Sequence, residues 1–127
     1  MRNKTILVIE DERPLVRVIK TKLEKNDFDV VSARTVAQGL DYLEEIKDVA
    51  AIWLDHYLMG GETGLDFVVK LKEKNSNWSD IPIFVVSNTA SNNNVQSYLE
   101  LGVTNYRVKA DYRLDQITNE IKSFLNK

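Results

Sequence analysis

The chain is predicted to fold as an α/β domain, a five-stranded parallel sheet with helices on both faces. Two observations carry this. Short, nearly unbroken apolar runs recur along the 127 residues, each stopping at a reactive polar residue. Runs of that length and composition suit strands buried on both faces. Between them lie stretches with helical periodicity, joined by connections of a few residues. Strict strand–helix alternation implies parallel pairing with right-handed crossovers.

The first strand, Ile6-Leu7-Val8-Ile9, is entered by about residue 5 and stops at Glu10-Asp11. Leu15, Ile19 and Leu23, with Val16 alongside, form the stripe of the first helix. Pro14 sits in its first turn, where a missing N–H costs nothing. Phe28 to Val31 is a short second strand. Thr35 can cap a second helix that turns Val36, Leu40, Leu43 and Ile46 inward. Ala50-Ala51-Ile52-Trp53-Leu54, the third strand, stops at Asp55. Thr63 can cap a third helix carrying Leu65, Val68 and Val69. The fourth strand, Ile81 to Val86, stops at Ser87. Ser91 can open a poorly hydrophobic fourth helix with Val95, Tyr98 and Leu99, closed by Gly102. Asn92-Asn93-Asn94 reads as its polar start. Val103 to Val108 holds the fifth strand, whose Tyr106-Arg107-Val108 stops at Lys109. The last helix runs from about Asp111 with Leu114, Ile117, Ile121, Phe124 and Leu125 on one stripe.

A flavodoxin-like strand order of 2-1-3-4-5 makes strands one and three neighbours at the switch point, so Glu10-Asp11 and Asp55 become neighbours too. The expected organisation is one doubly wound domain over residues 1–127, without repeat or low-complexity tail. A net charge of −2, with no long basic block, argues against direct nucleic-acid binding. No apolar stretch approaches a membrane span. Cysteine is absent, which excludes disulfides and thiolate metal sites and points to a cytoplasmic protein.

Ligands of open parallel sheets bind beyond the carboxyl ends of the strands. Glu10, Asp11, Asp55, Ser87 and Lys109 are all placed there, a set suited to a hard cation plus a phosphoryl group. Crowded carboxylates repel unless a cation intervenes, and Mg²⁺ takes one or two carboxylates and keeps waters. Asp11 and Asp55 are the expected direct ligands, with Glu10 acting through water; Mn²⁺ could substitute. Asp55 can serve as a nucleophile that accepts a phosphoryl group. Ser87 can hydrogen-bond that group, and Lys109 can neutralise its oxygens. Taken singly, each has a plainer reading: a solvated loop for Glu10-Asp11-Glu12, a cap for Asp55, a turn for Ser87, a surface charge for Lys109. No other catalytic kit is visible. His56 is the only histidine and reads as a space-filling neighbour of the site. There is no Gly-x-Ser-x-Gly elbow, no Gly-x-x-x-x-Gly-Lys loop and no Gly-x-Gly-x-x-Gly.

With these residues in place, the chain resembles the response-regulator receiver domains of two-component signalling. The resemblance rests on Ile-Leu-Val-Ile-Glu-Asp-Glu at 6–12, Trp-Leu-Asp-His-Tyr-Leu at 53–58, Gly-Leu-Asp at 64–66, Pro-Ile-Phe-Val-Val-Ser at 82–87 and Tyr-Arg-Val-Lys at 106–109. It implies that Asp55 is the phosphorylated aspartate, Ser87 the switch hydroxyl and Tyr106 the switch aromatic. It implies Mg²⁺-dependent phosphotransfer from a histidine kinase or histidine phosphotransfer protein, and a changed surface on the fourth helix, fifth strand and fifth helix. An unidentified downstream protein would read that surface. Arg13, Arg17 and Lys20 are expected kinase contacts, and the chain is expected to be a monomer or a weak phosphorylation-dependent dimer. In this reading it is not an enzyme beyond its own phosphotransfer and slow self-dephosphorylation. The alternative is a degenerate receiver acting as an unphosphorylated interaction module.

The chain departs from the family pattern. Ala110 replaces the usual proline, so the Lys109–Ala110 peptide is expected trans, since a cis bond before a non-proline costs about 3–4 kcal/mol. The 55–64 segment is one residue longer, using Gly60-Gly61, and Glu10 stands where Asp is commoner. Tyr57 and Thr89 flank the path of an attacking water, so both are expected to modulate phosphoryl lifetime, with bulky Tyr57 lengthening it. The Tyr57 backbone carbonyl is the expected further metal ligand.

Overall fold

The computed structural model describes residues 3–73, 77–88, 92–109 and 112–126. Its elements alternate as β1 (Lys4–Ile9), α1 (Arg13–Lys25), β2 (Phe28–Ala33), α2 (Val36–Glu45), β3 (Val49–Leu54), α3 (Gly64–Leu71), β4 (Ile83–Ser87), α4 (Asn92–Glu100), β5 (Asn105–Val108) and α5 (Leu114–Leu125). All strand pairs are parallel, in the order β2-β1-β3-β4-β5.

Side chains of a strand alternate between faces, and the core divides accordingly. Leu7, Ile9, Ile52, Leu54, Ile83 and Val85 pack on one face against Val36 and Leu43 of α2, Phe67, Val68 and Leu71 of α3, and Tyr98 of α4. Ile6, Val8, Ala51, Trp53, Phe84 and Val86 point the other way, against Ile19 and Leu23 of α1 and Ile117 and Ile121 of α5. The central strands have no polar face because both faces are covered. Each large apolar side chain so buried contributes about 1.5–3 kcal/mol of transfer free energy.

The expected caps are present. Thr35 Oγ1 accepts the Gln38 N–H at 3.0 Å, and Thr63 and Asp66 form a reciprocal capping box on α3. A cap of this kind is worth about 1 kcal/mol.

Several boundaries and faces differ from the sequence expectation: β2 runs on past Val31 to Ala33, its last residues still pairing with Val8 and Ile9 of β1. β4 starts at Ile83 rather than Ile81: the Ile81 N–H closes a turn on the Trp78 carbonyl, and Pro82 has no N–H to give. β5 starts at Asn105 rather than Val103, because the Val103 N–H is taken by the Tyr98 carbonyl as α4 terminates at Gly102, whose φ is +87°. On α3 the core stripe is Gly64, Phe67, Val68 and Leu71. Val69 falls one step off that phase and is 46% exposed. On α4, of the expected apolar residues Tyr98 is fully buried while Leu99 is exposed. Thr89, Ser91, Ala110 and Asp111 lie outside the described residues, and with them the Lys109–Ala110 peptide and the expected cap of α4 at Ser91. No helix among the described residues is long and apolar enough to cross a membrane.

The start of α3 is packed against the end of β3 with no room for a side chain. A Cβ at Gly64 would lie 2.4 Å from the Asp55 carbonyl oxygen and 2.7 Å from Tyr98 Oη. Gly64→Ala is therefore expected to lower unfolding stability by about 1–3 kcal/mol, read from the urea midpoint. An unchanged midpoint would contradict this packing.

Candidate functional site

The β1–β3 register pairs Ile9 with Leu54, so the next residues, Glu10 and Asp55, emerge side by side. Their backbones are fixed: Glu10 N–H donates to the Ala33 carbonyl at 3.0 Å and Asp55 N–H to the Ile9 carbonyl at 2.9 Å. On the other side β4 and β5 pair Ser87 with Val108, and the Lys109 N–H donates to the Ser87 carbonyl at 2.7 Å. The ends of four strands thus bring Glu10, Asp55, Ser87 and Lys109 to the same edge of the sheet. Glu10, Asp11 and Asp55 each bring a carboxylate oxygen into a group whose members lie within 4.8 Å of one another.

The charges in that crevice are poorly hydrated. Glu10 is 1% exposed and Asp55 5% exposed. Lys109 Nζ lies 2.8 Å from Glu10 Oε1 and 3.6 Å from Asp55 Oδ2. The His56 N–H donates to Asp55 Oδ1 at 2.8 Å, and the Glu12 N–H to Glu10 Oε2 at 3.2 Å. Burial pushes Glu10 up to about 7, against the opposing pull of its Lys109 hydrogen bond and with a further push from Asp55. Asp55 is also raised, again chiefly by burial, with Lys109 opposing. Burial works against the Lys109 charge, but its bond to Glu10 and the charge of Asp55 outweigh that and hold it above its usual value.

Ionised, three carboxylates against one ammonium leave two negative charges uncompensated in a poorly solvated space. An all-oxygen donor set with that deficit fits a hard divalent cation. The raised carboxyls show the strain that positive charge would relieve.

Ser87 is fully buried. Its hydroxyl engages Tyr106, which pulls that phenol down while burial, the larger effect, raises it. The Tyr106 ring is half-buried and lies 5.6 Å from the Tyr98 ring. Next along β5, Arg107 reaches α5: Nη2 lies 2.8 Å and Nε 3.1 Å from Glu120 Oε2, with the guanidinium 5.0 Å from the Tyr112 ring centroid. Tyr57 bridges to Thr63, and its side chain is 56% exposed. Arg13, Arg17 and Lys20 all lie on α1.

Two site neighbours escaped the sequence reading. Arg34 Nη2 donates to the Asp11 carbonyl at 3.4 Å, a role signalled only by its place just after β2. His56 does more than fill space, because its Nδ1 lies 2.8 Å from Tyr98 Oη. The partners are 42 positions apart, so no local pattern announces the contact.

A family model described as the response regulator receiver domain matches residues 6–122. The chain belongs to that family. It is similar to a chemotaxis protein CheY homolog of Campylobacter jejuni, 30% identical over 105 residues that cover 82% of this chain and 79% of that protein. It is also similar to the transcriptional regulatory protein YvrH of Bacillus subtilis, 30% identical over 110 residues, 86% of this chain. This receiver spans 44% of YvrH, less than half its length. Among solved structures, a CheY-like receiver domain protein from Methanospirillum hungatei superimposes with a TM-score of 0.85 at 22% identity, over 98% of this chain and 94% of that one. The fold is that of a receiver of two-component response regulators.

The raised Glu10 carboxyl has a pH signature. A carboxyl whose folded pKa exceeds its unfolded value stabilises most below the unfolded value and loses that stability as pH rises through the folded one. In chelator, the stability of wild type relative to Glu10→Gln is expected to fall between pH 4.5 and about 7, by on the order of 3 kcal/mol. Urea midpoints across that range check it; a flat difference would refute the desolvation of Glu10.

Proposed function

We propose that residues 1–127 form a phospho-accepting signalling switch in which Asp55 takes a phosphoryl group from a histidine kinase or histidine phosphotransfer protein. The observation that carries this is the convergence of the Glu10, Asp11 and Asp55 oxygens within 4.8 Å beside the Lys109 ammonium. A chain that served only as a binding module would have no use for a costly cluster of buried like charges.

In the proposed reaction an Asp55 carboxylate oxygen attacks phosphorus in line. The P–O bond forms as the P–N bond of the donor phosphoimidazole breaks, and the electron pair leaves with the imidazole. The His56 N–H on Oδ1 holds the carboxylate plane fixed during the attack, which limits the reorganisation needed. Lys109 swings from Glu10 toward the transferred oxygens, a short move given that it already sits 3.6 Å from Asp55 Oδ2. The Ser87 hydroxyl turns from Tyr106 to donate to the phosphoryl group, and the Tyr106 ring follows into the space released. Mg²⁺, or Mn²⁺ in its place, held by Asp11 and Asp55, by Glu10 through water and by the Tyr57 carbonyl, would supply the positive charge that offsets the developing phosphoryl charge.

The surface of α4, β5 and α5 is then the output, read by a downstream protein that binds the two states unequally. Arg13, Arg17 and Lys20 of α1 fit as contacts for the phosphodonor. The proposed setting is the cytoplasm, with no direct nucleic-acid or membrane partner, as a monomer or a weak phosphorylation-dependent dimer. Tyr57 and Thr89 set the lifetime of the acyl phosphate, and Tyr57 lengthens it because a phenol is a poor base for water.

Intact mass after incubation with acetyl phosphate tests the reading. One Mg²⁺-dependent phosphoryl adduct is expected on wild type and none on Asp55→Asn. No adduct under any condition would sink it, and turnover within seconds would sink the long lifetime.

A further inference from the structure

His56 is the one histidine of the chain, and both of its ring nitrogens are engaged by α4. Nδ1 lies 2.8 Å from Tyr98 Oη, and Nε2 lies 3.4 Å from Asn94 Nδ2. Asn94 and Tyr98 are four positions apart and so share one helical face. An amide nitrogen can only donate, so Nε2 accepts, and a neutral imidazole then carries its proton on Nδ1 and donates it to Tyr98 Oη. The imidazole is 6% exposed and its ring meets the Tyr98 ring edge-on at 5.7 Å.

Few of the described side chains of α4 are buried. Tyr98 is the only buried side chain among the described residues of this helix. The phenol end lodges beside the Asp55 backbone, where a Cβ at Gly64 would meet both the Asp55 carbonyl and Tyr98 Oη. Its ring also neighbours that of Tyr106 at 5.6 Å. At the other end of the chain of contacts, the His56 N–H donates to Asp55 Oδ1. One residue therefore binds the acceptor carboxylate through its backbone and α4 through its side chain.

We infer that His56 and Tyr98 are positioning residues: the imidazole pins α4 to the Asp55 segment, so that the placement of the helix and the orientation of the carboxylate are coupled. This is a second mechanical connection beside the proposed one through Ser87 and Tyr106, and the two meet where the Tyr98 and Tyr106 rings adjoin. It acts on α4 directly rather than through β5. Coupling of this kind is reciprocal, so whatever displaces α4 also biases the acceptor site. The functional half of the inference rests on the phospho-acceptor reading, whereas the pin itself does not.

Amide hydrogen exchange on the full chain tests it, with Tyr98→Phe, His56→Phe and the double variant. Tyr98→Phe keeps the buried ring and removes only the oxygen. Amides 96–102 are expected to exchange about fivefold faster in each single variant, the equivalent of about 1 kcal/mol, while β1 and β3 are unchanged. The double variant should be no faster than His56→Phe alone, because that change already removes the contact with Tyr98. His56→Gln, whose amide can still donate to Tyr98, should restore part of the protection. The imidazole ¹⁵N signals, unambiguous with a single histidine, should move at Nδ1 in Tyr98→Phe. Beryllium trifluoride with Mg²⁺, as a phosphoryl mimic, should change exchange in amides 96–102 of wild type at least threefold more than in Tyr98→Phe.

Unchanged basal exchange in Tyr98→Phe, or additive effects in the double variant, would overturn the pin. A full response to the mimic in Tyr98→Phe would overturn the coupling. Should wild type itself take neither acetyl phosphate nor the mimic, the phospho-acceptor reading and the coupling built on it fail, and basal exchange still decides the pin.

Discussion

The burial of two carboxylates beside one ammonium organises this molecule. Glu10 and Asp55 lose most of their hydration at the ends of adjacent strands, and Lys109 returns only part of what that costs. Transfer of charge out of water is among the most unfavourable events in folding. The sheet tolerates it because apolar burial on both faces is extensive. A fold with a stable frame and a destabilised rim has its free energy stored where a ligand can release it.

The frame and the rim are linked by register. Because β1 and β3 pair Ile9 with Leu54, a one-residue slip would exchange the two faces and also separate Glu10 from Asp55. The apolar core therefore specifies the acidic site, and no separate device is needed to align it. The same holds on the β4–β5 side, where Ser87 and Val108 are partners and the Lys109 N–H closes on the Ser87 carbonyl.

Much of this was legible in the sequence, for a definite reason. Strands buried on both faces announce themselves as apolar runs, and the polar residues that stop them are the ones brought to the carboxyl edge of the sheet. Caps at Thr35 and Thr63 were legible because they are local. Helix phase was less so: Val68-Val69 offers two equivalent stripes, and only packing shows that Phe67 rather than Val69 goes inward. Glu10 read as a water-mediated neighbour of a cation, yet it is more deeply buried than Asp11 and holds Lys109 directly. That preference depends on side-chain reach across strands, which spacing along the chain does not encode. The His56–Tyr98 contact was invisible for the same reason.

Arg107 carries a consequence for recognition at the α4–β5–α5 face. Its guanidinium is paired with Glu120, donates to the Tyr106 carbonyl and lies against the Tyr112 ring, so its charge is largely met within the domain. Beside it α4 offers Leu99, an exposed aliphatic side chain. If this face is the output surface, as proposed, association there would draw on shape and apolar contact more than on the charge of Arg107, and rising ionic strength would have little to screen. Selectivity there is written in contour, and a competitor of the right charge but the wrong relief gains no foothold.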